Sequence, residues 1–138
     1  MTDEELIAKK LAFIETCVRD LRELAQPELI ERDLREERFV AHTLQLAIQA
    51  ALDVASHIVS DERLGEPETN RQLFEALVAN GWLPDALSQP LARLAGFRNV
   101  LVYGYEEVDK AVVRDVVENR LDDLLGYVSA VRSTLTLA

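Results

Sequence analysis

The chain predicts an all-α fold, an antiparallel bundle of about five helices, on three observations. Apolar residues recur at three- and four-residue spacing over most of the 138 residues. No stretch sustains the apolar–polar alternation that a half-buried strand requires. The helix-breaking residues fall in a few clusters, at Pro27, Gly65 to Pro67, Asn80-Gly81 and Gly104, and leave long periodic segments between them. This length suits a single domain over residues 1–138, built round one core.

The first helix is expected from about Asp3 to Leu24. Leu6, Ile7, Leu11, Ile14, Cys17, Val18, Leu21 and Leu24 form its apolar face, and Thr2 with Glu5 makes a capping box. Pro27 starts a second, long helix reaching about Ser60. Its first part, Glu28 to Arg38, is charge-rich and reads as a solvated face that could also meet a partner. The rest, Phe39 to Val59, is mostly apolar and small, and Asp53 is its only Asp, Glu, Lys or Arg. Gln45, Gln49 and Asp53 stand four apart, and His57 extends the ladder; such a polar stripe needs partners if buried. Ala47, Ala50, Ala51 and Ala55 permit close helix approach, and the second and fourth helices are candidates for a dimer interface.

After a loop at Gly65-Glu66-Pro67, a short third helix runs from about Glu68 to Ala79 and stops at Asn80-Gly81. Trp82 reads as a packing anchor. Pro84 opens a fourth helix, about Asp85 to Val102, that Pro90 kinks or splits and Gly104 ends. Asp109 caps a fifth, about Lys110 to Leu135, with Val113, Val116, Val117, Leu121, Leu124, Val128 and Val131 as its core stripe.

Composition removes several function classes. Apolar residues make up 49% of the chain, enough for a real core. No apolar run approaches the ~18 residues of a membrane span, and the acidic start Met1-Thr2-Asp3-Glu4-Glu5 lacks a signal-peptide pattern, so the expected location is cytoplasmic. A lone cysteine, Cys17, cannot form an internal disulfide and reads as a buried small hydrophobe. With His42 and His57 it makes no metal-ligand spacing, so no metal and no cofactor are expected. The net charge of −10 argues against a broad nucleic-acid clamp. It leaves room for a small site in which one or two arginines hold one phosphate, and it suits docking on a basic protein partner.

The informative stretch is Gly96-Phe97-Arg98-Asn99-Val100-Leu101-Val102-Tyr103-Gly104-Tyr105. Asn99 and Tyr103, four apart, share a helix face. Arg98 and Tyr103 are separated by roughly 140° of rotation, so the arginine must bend round or the helix must loosen near Gly104. Taken alone, Arg98 could be a surface ion-pair partner of Glu106 or Glu107. Asn99 could be a helix-end hydrogen-bonding group, and Tyr103 and Tyr105 packing residues.

This stretch resembles the motif of the HepT branch of the HEPN ribonucleases: Arg, Asn, three mostly apolar residues, His, any residue, Tyr. Arg98, Asn99, Gly104 and Tyr105 fit, while Tyr103 stands where the family has its histidine. The helix Leu44 to Ile58 and the segment through Phe74, Leu77 and Gly81-Trp82-Leu83-Pro84 to Val108-Asp109 are also similar, so the resemblance covers about Phe39 to Leu125. It implies a HEPN-like bundle and a homodimer in which motifs from two protomers face one cleft. It also implies metal-independent RNA cleavage, by attack of the ribose 2′-hydroxyl on the adjacent phosphate.

The implied catalytic set is Arg98, Asn99 and Tyr103. Arg98 would stabilise charge on the phosphoryl oxygens. The motif histidine would move protons. A phenol, with an ordinary pKa of about 10, is a poor base, so Tyr103 implies impaired activity. Asp53 and His57 would form a supporting polar wall beside Arg98, or else a structural pair with each other. The resemblance further implies a cognate MntA-like minimal nucleotidyltransferase antitoxin that transfers AMP to Tyr105, adding charge and bulk where the RNA phosphate must sit. The alternative is a catalytically inactive helical module that partners such a nucleotidyltransferase without cutting RNA.

Overall fold

The computed structural model describes residues 3–103 and 108–137. Among them are six α-helices and no strand: α1 Glu4–Leu24, α2 Leu34–Asp61, α3 Asn70–Ala79, α4 Ser88–Tyr103, α5 Lys110–Asn119 and α6 Leu121–Leu137, with short 3₁₀ turns at Pro27–Leu29 and Asp85–Leu87. The helical bundle expected from the periodicity is therefore present, with one helix more than the spacing suggested.

The extra helix arises where the expected fifth element divides at Arg120, whose N–H caps α5 on the Val116 carbonyl at 2.9 Å. Neither glycine nor proline marks this break. The buried residues Val113, Val116 and Val117 of α5 run into Leu121, Leu124 and Val128 of α6 with the three- and four-residue rhythm unbroken, so the pattern alone reads as one helix. The expected second helix likewise begins later than Pro27. Pro27 opens the 3₁₀ turn, Ile30 drops fully into the core, and Asp33 caps α2 by accepting from the Arg35 N–H at 2.9 Å. A buried side chain between two caps forces the corner.

Other boundaries move less. Asp3 caps α1 by accepting from the Leu6 N–H, and Thr2 lies outside the described residues. Thr69 caps α3, placing its start two residues after the expected Glu68. Pro90 falls in the first turn of α4, where a missing N–H leaves no helix bond unmade. Asn80 caps α3 and Gly81 turns at φ +80, a left-handed geometry that favours glycine.

The architecture centres on α2, which packs against all five other helices. Eleven of its residues are buried, among them Ala47, Ala50, Ala51 and Ala55, and these small side chains let the neighbours come close. The largest fully buried side chain is Tyr127 of α6, absent from the expected core stripe. Its hydroxyl donates to the Ala51 carbonyl at 2.7 Å and its ring meets Phe74 edge-on at 5.5 Å, pinning α6 and α3 to the middle of α2. Cys17 is buried as expected, and burial, with Asp20 nearby, pushes its thiol above the ordinary range. Among the described residues no helix is long and apolar enough to cross a membrane.

Candidate active site at the end of helix α4

Helix α4 carries the motif, and its two kinds of residue diverge. Leu91, Leu94, Ala95 and Phe97 enter the core. Gly96, Asn99, Val100 and Tyr103 stay exposed, Tyr103 at 65%. Arg98 sits at the boundary, half-buried. Its Nη1 donates to Asn99 Oδ1 at 3.2 Å, and its Nε is buried without a hydrogen-bond partner. A buried donor left open is costly unless something fills it.

The structure brings Arg98 and Asn99 together through a residue that sequence reasoning missed. Asn70, the first residue of α3, donates its Nδ2 to Asn99 Oδ1 at 3.0 Å. One carboxamide oxygen thus takes both the Arg98 and the Asn70 donors, tying the motif helix to the start of α3. No local signal could have revealed Asn70, because 29 residues separate the pair.

Asp53 is not brought to Arg98. Its carboxylate accepts from Lys10 Nζ of α1 at 3.3 Å and from Gln49 Nε2 of its own helix at 2.8 Å. The Asp53 carboxylate thus links α1 to α2, and among the described residues it makes no hydrogen bond or ion pair with Arg98 or His57. His57 is half-buried on α2, four residues on. Gly104 and Tyr105, with Glu106 and Glu107, lie outside the described residues.

Two clefts flank the end of α4 and share Val108. One, of ≈ 420 Å³, lies toward α5 and is lined by Arg93, Phe97, Val100, Val108, Asp109 and Val112. The other, of ≈ 380 Å³, lies toward α2, between Glu37, Arg38, Ala41, His42 and Gln45 on one wall and Leu101 and Val108 on the other. Arg38 and His42 also escaped the sequence reading, although a signal existed. The polar ladder traced from Gln45 continues about two turns toward the N-terminus through His42 to Arg38.

Comparison with known proteins shows the family of the chain. The family model described as Ribonuclease HepT-like matches residues 14–131. The chain is similar to the mRNA nuclease HepT of Shewanella oneidensis, at 27% identity over 94% of this chain and 98% of the relative. It is also similar to the tRNA nuclease HepT of Aphanizomenon flos-aquae, at 33% identity over 76% of this chain and 69% of the relative. Among solved structures, the tri-AMPylated Shewanella oneidensis HEPN toxin in complex with MNT antitoxin superposes with a TM-score of 0.85, at 28% identity over 96% of this chain and 99% of that one.

Proposed function

Because the chain belongs to the ribonuclease HepT-like family, we propose that it is the toxin of a toxin–antitoxin pair, an RNA endonuclease whose site is built on Arg98, Asn99 and Tyr103. The observation that carries this reading is the Arg98 guanidinium, oriented by Asn99 and Asn70 yet with its Nε unspent. A permanently charged fork at a helix end suits one phosphodiester. That the relatives are nucleases favours catalysis over the binding-only alternative.

In the proposed step the ribose 2′-oxygen attacks the adjacent phosphorus and the bond to the 5′-oxygen breaks. The products are a 2′,3′-cyclic phosphate and a free 5′-hydroxyl. The 2′-hydroxyl must lose a proton and the 5′-oxygen must gain one, while negative charge grows on the non-bridging oxygens. Arg98 meets that charge by hydrogen bonds that strengthen as it develops. Tyr103 can donate a proton to the leaving oxygen but serves poorly as the base, so the step is slow in this chain. Asp53, engaged by Lys10 and Gln49, takes no direct part in this chemistry.

A homodimer would set two Arg98 side chains at one cleft and give a chain of net charge −10 a local cationic site. The exposed Val100 and Tyr103 at the outer face of α4 support contact there. The cognate antitoxin is a minimal nucleotidyltransferase, which transfers AMP from ATP to the Tyr105 hydroxyl with release of pyrophosphate. The complex and modification described for the Shewanella oneidensis toxin support this partner.

The deciding test compares RNA cleavage by the parent chain and by Tyr103→His. Restoring an imidazole should raise the rate by ~10²–10⁴, and adding Arg98→Ala should then lower it by ~10²–10³. If neither the parent nor Tyr103→His cuts RNA, the ribonuclease reading is overturned. Mass spectrometry after incubation with the antitoxin and ATP should locate AMP on Tyr105.

A further inference from the structure

We propose that Arg38, His42 and Gln45 of α2 form a second phosphate subsite that holds the RNA strand beside the scissile bond, an inference that rests on the ribonuclease reading of Arg98. The three residues stand at i, i+4 and i+7, so they share one face of α2, and together they line the ≈ 380 Å³ cleft between α2 and the end of α4. Across from them is Leu101. Leu101 lies three residues beyond Arg98 and is its neighbour on the helix surface. A strand whose phosphate is held by Arg98 therefore meets this cleft next.

Charge separates this cleft from the others. On a chain of net charge −10, a polyanion is held only where cations are uncommitted. Among the described residues, Glu37 is the one carboxylate lining the cleft; it is 17% exposed and faces Lys110 Nζ at 3.7 Å, which offsets its charge. Arg38 and His42 make no ion pair or side-chain hydrogen bond with the described residues, so their donors remain available.

The cleft between α1 and α2 contains Lys9 and Lys10, but Glu5 and Asp53 already hold them. The cleft between α4 and α5 is largely apolar and sets Arg93 alongside Asp109. Among the described residues, the cleft beside α2 combines Arg38 and His42, a carboxylate faced by Lys110, and Leu101 one turn from Arg98. The Arg38 fork would bind two phosphate oxygens, with His42 and Gln45 giving further contacts to the same nucleotide.

Binding of a short, fluorescein-labelled single-stranded RNA to the intact protein, titrated at several salt concentrations, tests the subsite. Arg38→Gln should weaken binding about tenfold and reduce the slope of log affinity against log salt by about 0.7, the value for one single-strand phosphate contact. Arg38→Lys should keep the slope, and His42→Gln should weaken binding by a smaller factor. Both side chains are exposed, and circular dichroism confirms that each variant is folded.

Cleavage of the same RNA by Tyr103→His reads the ribonuclease site separately. If that variant cuts RNA while Arg38→Gln leaves affinity and slope unchanged, the subsite is refuted and the ribonuclease reading stands. If Arg38→Gln weakens only the complex with the nucleotidyltransferase, the cleft belongs to that partner and the subsite is again refuted. If no variant binds or cuts RNA, both readings fall together.

Discussion

The bond from Asn70 to Asn99 offers a direct test of how the site is held. Asn99 Oδ1 accepts from Asn70 Nδ2 at 3.0 Å and from Arg98 Nη1 at 3.2 Å. Removing Asn70 leaves the Asn99 amide, the hydrogen-bond partner of Arg98, free to turn. Asn70 is the first residue of α3, and its cap, Thr69, stays in place. Alanine suits a helix, so Asn70→Ala should leave folding stability nearly unchanged. One solvent-accessible hydrogen bond contributes about 1 kcal/mol, which at the transition state corresponds to about fivefold in rate. In the Tyr103→His background, kcat and kcat/KM for RNA should both fall by that factor, because the Arg98 contact matters most when charge develops on the phosphate. Asn70→Gln, which keeps a donor, should recover part of the loss. The decisive comparison is a double-mutant cycle. On an Arg98→Ala background, Asn70→Ala should add no further loss. If it again costs about fivefold there, or lowers stability in proportion to rate, Asn70 does not act through Arg98.

Three further outcomes follow from the packing and the charges. Tyr127→Phe removes the hydroxyl bonded to Ala51 but keeps the edge contact with Phe74. It should lower stability by about 0.5–1.5 kcal/mol in urea unfolding, against ~3–5 kcal/mol for Tyr127→Ala; equal stability of the Phe variant and the parent would show that the hydroxyl contributes nothing. Cys17 is buried and its thiol is pushed up by burial and by Asp20; it should resist alkylation in the native protein and label readily in urea, since the thiolate is the reacting form. Glu15 accepts from Arg132 Nη1 at 2.7 Å, and that hydrogen bond holds its carboxyl below the usual range. A carboxyl lowered in the folded state stabilises above its unfolded pKa and loses that contribution as pH falls through the folded value. Because both groups are nearly half exposed, the effect should be under about 1 kcal/mol. The stability difference between parent and Glu15→Gln should therefore shrink on acidification.

The fold class was legible from the start of the chain to its end, because a helix declares its buried face locally. The face of α1, the small residues of α2 and the stop at Asn80-Gly81 all follow from spacing and residue type within a few turns. Caps are weaker signals, so boundaries shifted, from Pro27 to Leu34 and from Glu68 to Asn70. The divide at Arg120 left no signal, since burial keeps the same rhythm on both sides of it. Tyr127 escaped notice because a tyrosine's hydroxyl suits a surface equally well until a distant carbonyl accepts from it.

The same distinction governs the site. Arg98, Asn99 and Tyr103 could be picked out from the chain because the stretch that holds them resembles the HepT motif. Which polar groups meet is decided between helices: Asn70 reaches Asn99 from α3, Lys10 takes Asp53 toward α1, and Arg38 and His42 line a cleft with Leu101 of α4. A sequence constrains what lies within about one helical turn, where backbone geometry fixes separation. Contacts across tens of residues depend on how whole helices settle against the α2 core, and only that packing decides which polar groups meet and which remain free for a ligand.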